Sequence, residues 1–137
     1  MSESDPTGKD AHQPGAKLDA GKPDASLLLD FGLALAAVAQ VGTFGANKYT
    51  RGGWQHVSDG VNRYTAALIR HLFAGRYDPV DADSGLEHDA RVAWNALARL
   101  ELKLREQRKT KPTVDPADLK AESLFKFMRR IQKKQTK

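Results

Sequence analysis

The sequence predicts an all-α fold, a bundle of about four helices that assembles into oligomers. Three observations carry the fold class. Apolar residues recur at helical spacing in separate stretches along the chain. No segment alternates apolar and polar residues with period two for long enough to make a strand. Gly and Pro fall between the helical stretches, where they act as boundaries.

Residues 1–16 are rich in Ser, Asp, Pro, Gly and Lys and are expected to form a disordered arm. Residues 17–23 (KLDAGKP) read as a loop. The first helix is expected from Ser26 to Lys48, with Leu33, Ala37, Val41 and Phe44 at helical spacing and Leu29 and Leu35 adding apolar surface. Gly32, Gly42 and Gly45 lie inside it. Each costs roughly 1 kcal/mol relative to Ala, and close approach of a second helix is the favoured reason; a kink or backbone approach to a ligand is the alternative. Thr50 to Gly53 is a turn, followed by Trp54.

The second helix runs from Val61 to Ala74, with Val61, Tyr64, Thr65, Leu68 and Leu72 as its stripe. Gly75 to Gly85 (GRYDPVDADSG) is an acidic loop. The third helix is expected to start at Ser84, where Ser84-Gly85-Leu86-Glu87 fits a capping box, and to end near Lys109. Its stripe is Ala90, Ala93, Leu97, Leu100 and Leu104. A fourth helix starts at Asp115 as N-cap and Pro116 as its first residue, and reaches Lys134. The domain reading is an arm over 1–16, a helical domain over 17–109 and a basic C-terminal helix over 110–137.

A chain of 137 residues is one domain with one modest core. It has no cysteine, which excludes disulfides, thiolate metal sites and cysteine nucleophiles. Any metal must be held by carboxylates, imidazoles, amides or water, ligands that suit Mg²⁺ or Mn²⁺ better than structural zinc. No apolar run is read as approaching the roughly 18 residues of a membrane span, and the first fifteen residues hold no signal core, so a cytoplasmic protein is expected. The net charge of +5 is uneven. Residues 103–137 hold 12 Lys and Arg against 4 Asp and Glu, while residues 1–102 hold 10 against 13. The slightly acidic body is compatible with cation binding.

The chain has no GxxxxGK[ST] phosphate loop, no His-Glu-x-x-His zinc motif and no GxSxG nucleophile elbow. Activated water is then the economical nucleophile, and a metal the natural means of activating it. The densest polar group is Asp78, Asp81, Asp83, Glu87, His88 and Asp89. Glu87 is explained by the cap, whereas Asp81, Asp83 and His88 together suggest a metal or catalytic site. Antiparallel second and third helices would bring His71, Asp83 and His88 to one end of the bundle, with Arg70 available to phosphate oxygens. Asn95 sits mid-helix and should make a specific hydrogen bond to a metal-bound water, a nucleotide or a backbone carbonyl. Lys48 and Tyr49 read as a helix C-terminus on chemistry alone.

The runs KLDAGKPDASLLL, VGTFGANKYTRGGW and RYTAALIRHLFAGRYDPVDADSGLEHDARVAWNAL resemble the phage dATP/dGTP diphosphohydrolase family, grouped with the MazG-like all-α nucleoside triphosphate pyrophosphohydrolases. The resemblance spans 17–101. It implies hydrolysis of dGTP or dATP between the α and β phosphates with Mg²⁺ or Mn²⁺, in a homo-oligomer. Some members are expected to supply dGMP to phage pathways that make 2-aminoadenine nucleotides. The pattern matches at Lys17, Asp19, Gly21, Lys22 and Pro23, then at Phe44, Gly45, Lys48, Tyr49 and Trp54. It matches again at Arg70, His71, Asp81, Ser84, Gly85, His88 and Asn95. Arg91 and Asp83 stand where His and Glu are expected, and the Glu-x-x-Glu and Glu-x-x-Asp metal pairs of MazG-like enzymes are absent.

Together these readings make His71, Asp83 and His88 the catalytic candidates. Asp81, Asp83, His88 and His71 are the metal ligands. Lys22, Lys48, Arg70 and Arg91 are expected to hold phosphates, Trp54 or Tyr49 to stack on the purine, and Asn95 to contact the substrate. A homo-oligomer is expected from the apolar stripe between Ala90 and Leu104. The alternative is a nucleic-acid-binding accessory protein that uses the basic C-terminal helix.

Overall fold

The computed structural model describes residues 3–110, in two units, 3–27 and 28–110. The fourth helix expected over 115–134, with the basic segment that carries the nucleic-acid alternative, lies outside the described residues.

In the first unit, where 3–16 were expected to be disordered, a series of turns is organised by Asp5. Its carboxylate accepts the backbone N–H groups of Thr7 and Lys17, each at 2.6 Å, and the Thr7 hydroxyl. These donors hold the Asp5 carboxyl below its usual range.

The second unit holds helices α1 (Gly32–Lys48), α2 (Gly60–Ala74) and α3 (His88–Lys109). A 3-10 helix, Ala25–Phe31, leads into α1, so the first helix begins with a tighter turn than a single α-helix from Ser26 would have. Another 3-10 turn, Gly53–His56, connects α1 to α2. Among the described residues there is no strand, only an isolated bridge between Val80 and Glu87.

Helices α2 and α3 form the main pair, and α1 lies against α3. His71 near the end of α2 meets His88 at the start of α3, while Leu102 packs close to Gly60, so α2 and α3 are antiparallel. The core is small: Val38 and Val41 of α1 with Ala90 and Ala98 of α3. Val41 and Ala90 of the two expected stripes are in this core, and Ala37, Phe44, Ala93 and Leu104 are half-buried, but three leucines depart from expectation. Leu33 is 94% exposed, and Leu97 and Leu100 are about half exposed. The small residues Ala90 and Ala98 face inward, which lets the helices approach closely. Close approach also accounts for Gly42, because a Cβ there would lie 2.5 Å from Cζ3 of Trp94.

Two expectations are corrected. First, Ser84 does not cap the third helix. The helix starts at His88, after Glu87 in an extended conformation. Gly85 adopts φ +68°, and the Ser84 hydroxyl is turned toward Asp81 at 2.6 Å. Second, the segment Ala25–Lys48 is long and apolar enough, by length and composition, to cross a membrane. Leu29, Phe31 and Leu33 on it are exposed.

Candidate active site

The site is built where α2 ends and α3 begins. An antiparallel pair places the last turn of one helix beside the first turn of the next, so His71 and His88 face each other across the junction. Their Nδ1 atoms are 2.9 Å apart, a spacing at which two imidazoles can share one proton or one cation. The loop between the helices folds back on itself. The Asp81 N–H donates to the Leu86 carbonyl at 2.9 Å, and the Gly85 N–H donates to the Asp81 carbonyl at 2.7 Å. That closure brings the Asp81 carboxylate against the two rings. One ligand atom from each of His71, Asp81 and His88 then lies within 4.8 Å of the others. It is the group of this kind found among the described residues.

The electrostatics suit ligation. Burial and then the nearby Arg91 charge lower the His71 pKa below its usual value, against the opposing pull of Asp81. His71 is therefore neutral near pH 7, the form that binds a metal. Burial raises the Asp81 carboxyl, but the Ser84 hydroxyl, the Arg91 charge and the Ser84 N–H outweigh it, and Asp81 lies below the usual carboxylate range. Arg91 reaches Asp81 at 3.2 Å, donates its Nε–H to Ser84 Oγ at 3.2 Å, and stacks over Phe44 with its guanidinium carbon 4.9 Å from the ring centre.

The donor set tests the fit of a divalent cation. Two donors held about 2.1 Å from one cation at a right angle are about 3 Å apart, close to the imidazole spacing, and a carboxylate oxygen as far as 4.8 Å from them would close in by a few tenths of an ångström to share that cation. Two nitrogens and one carboxylate oxygen suit Mn²⁺ and its transition-metal neighbours better than Mg²⁺, which prefers oxygen throughout.

Beside this group lies a cleft of about 1020 Å³. It is walled by the C-terminal half of α1, the Gly53–His56 turn, α2 and α3, and it includes His71. Five of its lining residues are Lys or Arg (Lys48, Arg51, Arg63, Arg70 and Arg91) and none is Asp or Glu. Such a lining concentrates anions. Trp54 and Trp94 meet edge to face in the wall, centroids 6.2 Å apart. Arg105 lies 5.6 Å over Trp54 and also donates to Gln55 at 2.6 Å, which fixes the turn.

The structure thus brings together Lys48, Tyr49, Trp54, Arg70, His71, Arg91 and Asn95 around the cleft. Asn95 donates to the Arg91 carbonyl at 2.7 Å, the backbone outcome among its three expected partners. Asp83 stands apart from the His71–Asp81–His88 group: its side chain is 65% exposed and accepts from Lys48 at 2.9 Å. That hydrogen bond, and then the charge behind it, raise the Lys48 pKa. Lys22 belongs to the first unit, where it pairs with Glu3 at 3.6 Å. Sequence reasoning missed Arg51, Arg63 and Trp94. The one signal for Trp94 was Gly42, since an interior helix glycine implies a bulky neighbour.

The fold is a small all-α bundle, with a group that could hold a cation set beside a cleft lined by cationic side chains. Residues 12–112 match the family model for the dATP/dGTP diphosphohydrolase N-terminal domain. The chain belongs to that family, as the resemblance in its sequence suggested. Comparisons with curated proteins and with solved structures give no match.

Proposed function

We propose that the protein hydrolyses dGTP, dATP or both to the nucleoside monophosphate and pyrophosphate. The observation that carries this reading is the His71–Asp81–His88 group sharing His71 with a cleft that five cationic side chains line and no acidic one. Water attacks the α-phosphorus, the bond from it to the bridging oxygen breaks, and pyrophosphate leaves. His71, Asp81 and His88 would hold a divalent cation, which would supply Lewis acidity toward water and phosphate oxygens when bound. Mn²⁺ is the better fit and Mg²⁺ the expected physiological competitor.

Arg70, Arg91 and Lys48 hold phosphate oxygens, and Arg70 can do so with two parallel hydrogen bonds, whereas Arg91 has Nη1 to offer once Ser84 and Asp81 take Nε and Nη2. Trp54 or Tyr49 stacks on the purine. Asp83 is assigned to holding Lys48 in place. A cleft of this volume accommodates a nucleotide. Free nucleotides as substrates support a cytoplasmic setting, where the protein would supply dGMP for phage 2-aminoadenine nucleotide synthesis.

A homo-oligomer is supported by Leu28, Leu29, Phe31, Leu33 and Leu35, an exposed apolar set on one stretch of helix. Leu97 and Leu100 of the Ala90–Leu104 stripe are also half-exposed and would add to the contact.

The test is incubation with a nucleotide panel and Mn²⁺ or Mg²⁺, with products separated by chromatography. Deoxynucleoside monophosphate with pyrophosphate, and no turnover in EDTA, is the expected result. Release of diphosphate nucleoside with orthophosphate overturns it.

A further inference from the structure

Ser84 has an unusual set of partners for a residue in an exposed acidic loop. Its Oγ donates to Asp81 Oδ2 at 2.6 Å. The same oxygen accepts the Arg91 Nε–H at 3.2 Å and the Leu86 N–H at 3.3 Å. A hydroxyl has one proton to give and two lone pairs to receive. With both lone pairs taken, the single proton has one direction left, toward Asp81. Arg91 and the loop backbone therefore fix the polarity of this hydroxyl.

Asp81 is held in the same one-sided way. Oδ2 receives the Ser84 hydroxyl, the Ser84 N–H at 3.1 Å and lies 3.2 Å from Arg91 Nη2. All three contacts fall on Oδ2, so Oδ1 is the oxygen left for a ligand. Gly85 makes the arrangement possible: at φ +68° it turns the chain so that residue 84 folds back over residue 81.

We infer that Ser84 is a positioning residue for the cation site, orienting Asp81 through Oδ2 so that Oδ1 alone is presented beside His71 and His88. The inference rests on the cation site proposed above. Ser84 also acts as a spacer between Arg91 and Asp81. It occupies Arg91 Nε, so the guanidinium meets the carboxylate through one nitrogen and leaves the second oxygen unclaimed. Without the hydroxyl, Nε loses its acceptor and Asp81 becomes the nearest replacement. Arg91 then competes with the cation for both oxygens, since a guanidinium matches a carboxylate with two parallel bonds.

The experiment measures Mn²⁺ binding to the metal-free full chain by electron paramagnetic resonance of free Mn²⁺, with titration calorimetry alongside. Ser84→Ala is expected to weaken Mn²⁺ binding by about 10–100-fold, the usual effect of removing a group that orients a ligand. Ser84→Thr, which keeps the hydroxyl, restores binding to within a few fold, and Ser84→Cys, of similar size but a poor donor, falls between. A purely structural role for Ser84 would let Cys substitute fully and would not order the three variants by donor strength. Asp81→Asn is the reference that loses the site. If wild type binds Mn²⁺, Asp81→Asn does not, and Ser84→Ala binds like wild type, the positioning role is overturned while the cation site stands. If wild type does not bind Mn²⁺, both are overturned. Should Ser84→Ala fail to fold by circular dichroism, the Thr and Cys variants decide by the same ordering.

Discussion

Gly42→Ala is a sharp test of how the cleft wall is built. An alanine Cβ at this position would lie 2.5 Å from Trp94 Cζ3, 2.8 Å from Cη2 and 3.4 Å from Cε3. Carbon atoms in ordinary contact sit about 3.5–4.0 Å apart, so the indole must move by about 1 Å. It is not free to do so cheaply, because its other side meets Trp54 edge to face. Overpacking of this kind costs about 1–3 kcal/mol, against roughly 1 kcal/mol gained by replacing a helical glycine with alanine. The net effect is a destabilisation of about 1 kcal/mol, or a fall of roughly 4–8 °C in Tm for a unit of this size. Gly45, in the same helix, has open space at its Cβ position. Gly45→Ala therefore keeps the propensity gain without the clash and should raise Tm. Trp54 and Trp94 are the only tryptophans in the sequence, so intrinsic fluorescence reports on the wall during the same melts. A shifted native emission in Gly42→Ala but not in Gly45→Ala is expected. If the two variants stabilise equally and leave emission unchanged, Trp94 does not pack where the structure puts it.

Two further outcomes follow from the carboxylates and the histidine. Asp81→Asn should lower turnover at least 100-fold and abolish its dependence on divalent cation, whereas Asp83→Asn, losing one exposed ion pair with Lys48, should raise KM by no more than about 5-fold with kcat little changed. Steady-state kinetics over a Mn²⁺ series compares the two, and a dead Asp83→Asn with an active Asp81→Asn reverses the assignment. For pH, His71 has its folded pKa lowered below the unfolded value near 6.5, so the unfolded chain binds protons more readily there. Its contribution is intact above about pH 6.5 and is lost as pH falls through the folded value. The lowered Asp81 carboxyl acts with the same sign at more acid pH, intact above about 3.8 and lost below. Tm without divalent cation should therefore fall from pH 7 to pH 5, and less so in His71→Gln; a rise over that range refutes the sign.

The helices were legible because their signals are local. The Val61–Ala74 pattern is found as α2 within one residue at its start, and the expected end at Lys109 is the end of α3. The faces were less legible. In a core built on Val38, Val41, Ala90 and Ala98, small residues lie innermost and Leu33, Leu97 and Leu100 face outward, opposite to the usual ranking by size. The expected stripes did hold Val41 and Ala90, which are in the core, but they also took in Leu33, Leu97 and Leu100, because size alone ranks a leucine above an alanine. His71 and His88 were legible because one falls in the last turn of a helix and the other at the start of the next, and antiparallel pairing joins those ends. Asp81 and Asp83 could not be separated by spacing, because a turn closed through Gly85 decides which carboxylate folds inward. Arg51 and Arg63 carried no motif, and only the assembled wall makes them part of a cationic lining.

The misplaced cap explains why this loop gives up local stability. Ser-x-x-Glu before an apolar run is a strong helix start, worth about 1 kcal/mol through its N-cap hydrogen bond. Ser84 forgoes that bond and gives its proton to Asp81 instead. The exposed helix end is met in another way: the His88 N–H donates to the Pro79 carbonyl at 2.8 Å, and Glu87 pairs with Val80 in a bridge. Those contacts close the loop across its base, hold His88 as the first residue of α3, and leave residues 81–86 to form their own inner turn. The same backbone bonds that replace the cap thus set the imidazole and the carboxylate in register. A helix begun at Ser84 would have satisfied its N–H groups more simply, but it would have wound residues 85–87 into the helix and removed the Gly85 turn that folds residue 84 back over Asp81. Local consistency is sacrificed at the one junction where two imidazoles and a carboxylate must meet, which is where a functional site is expected to break the rules of a stable helix.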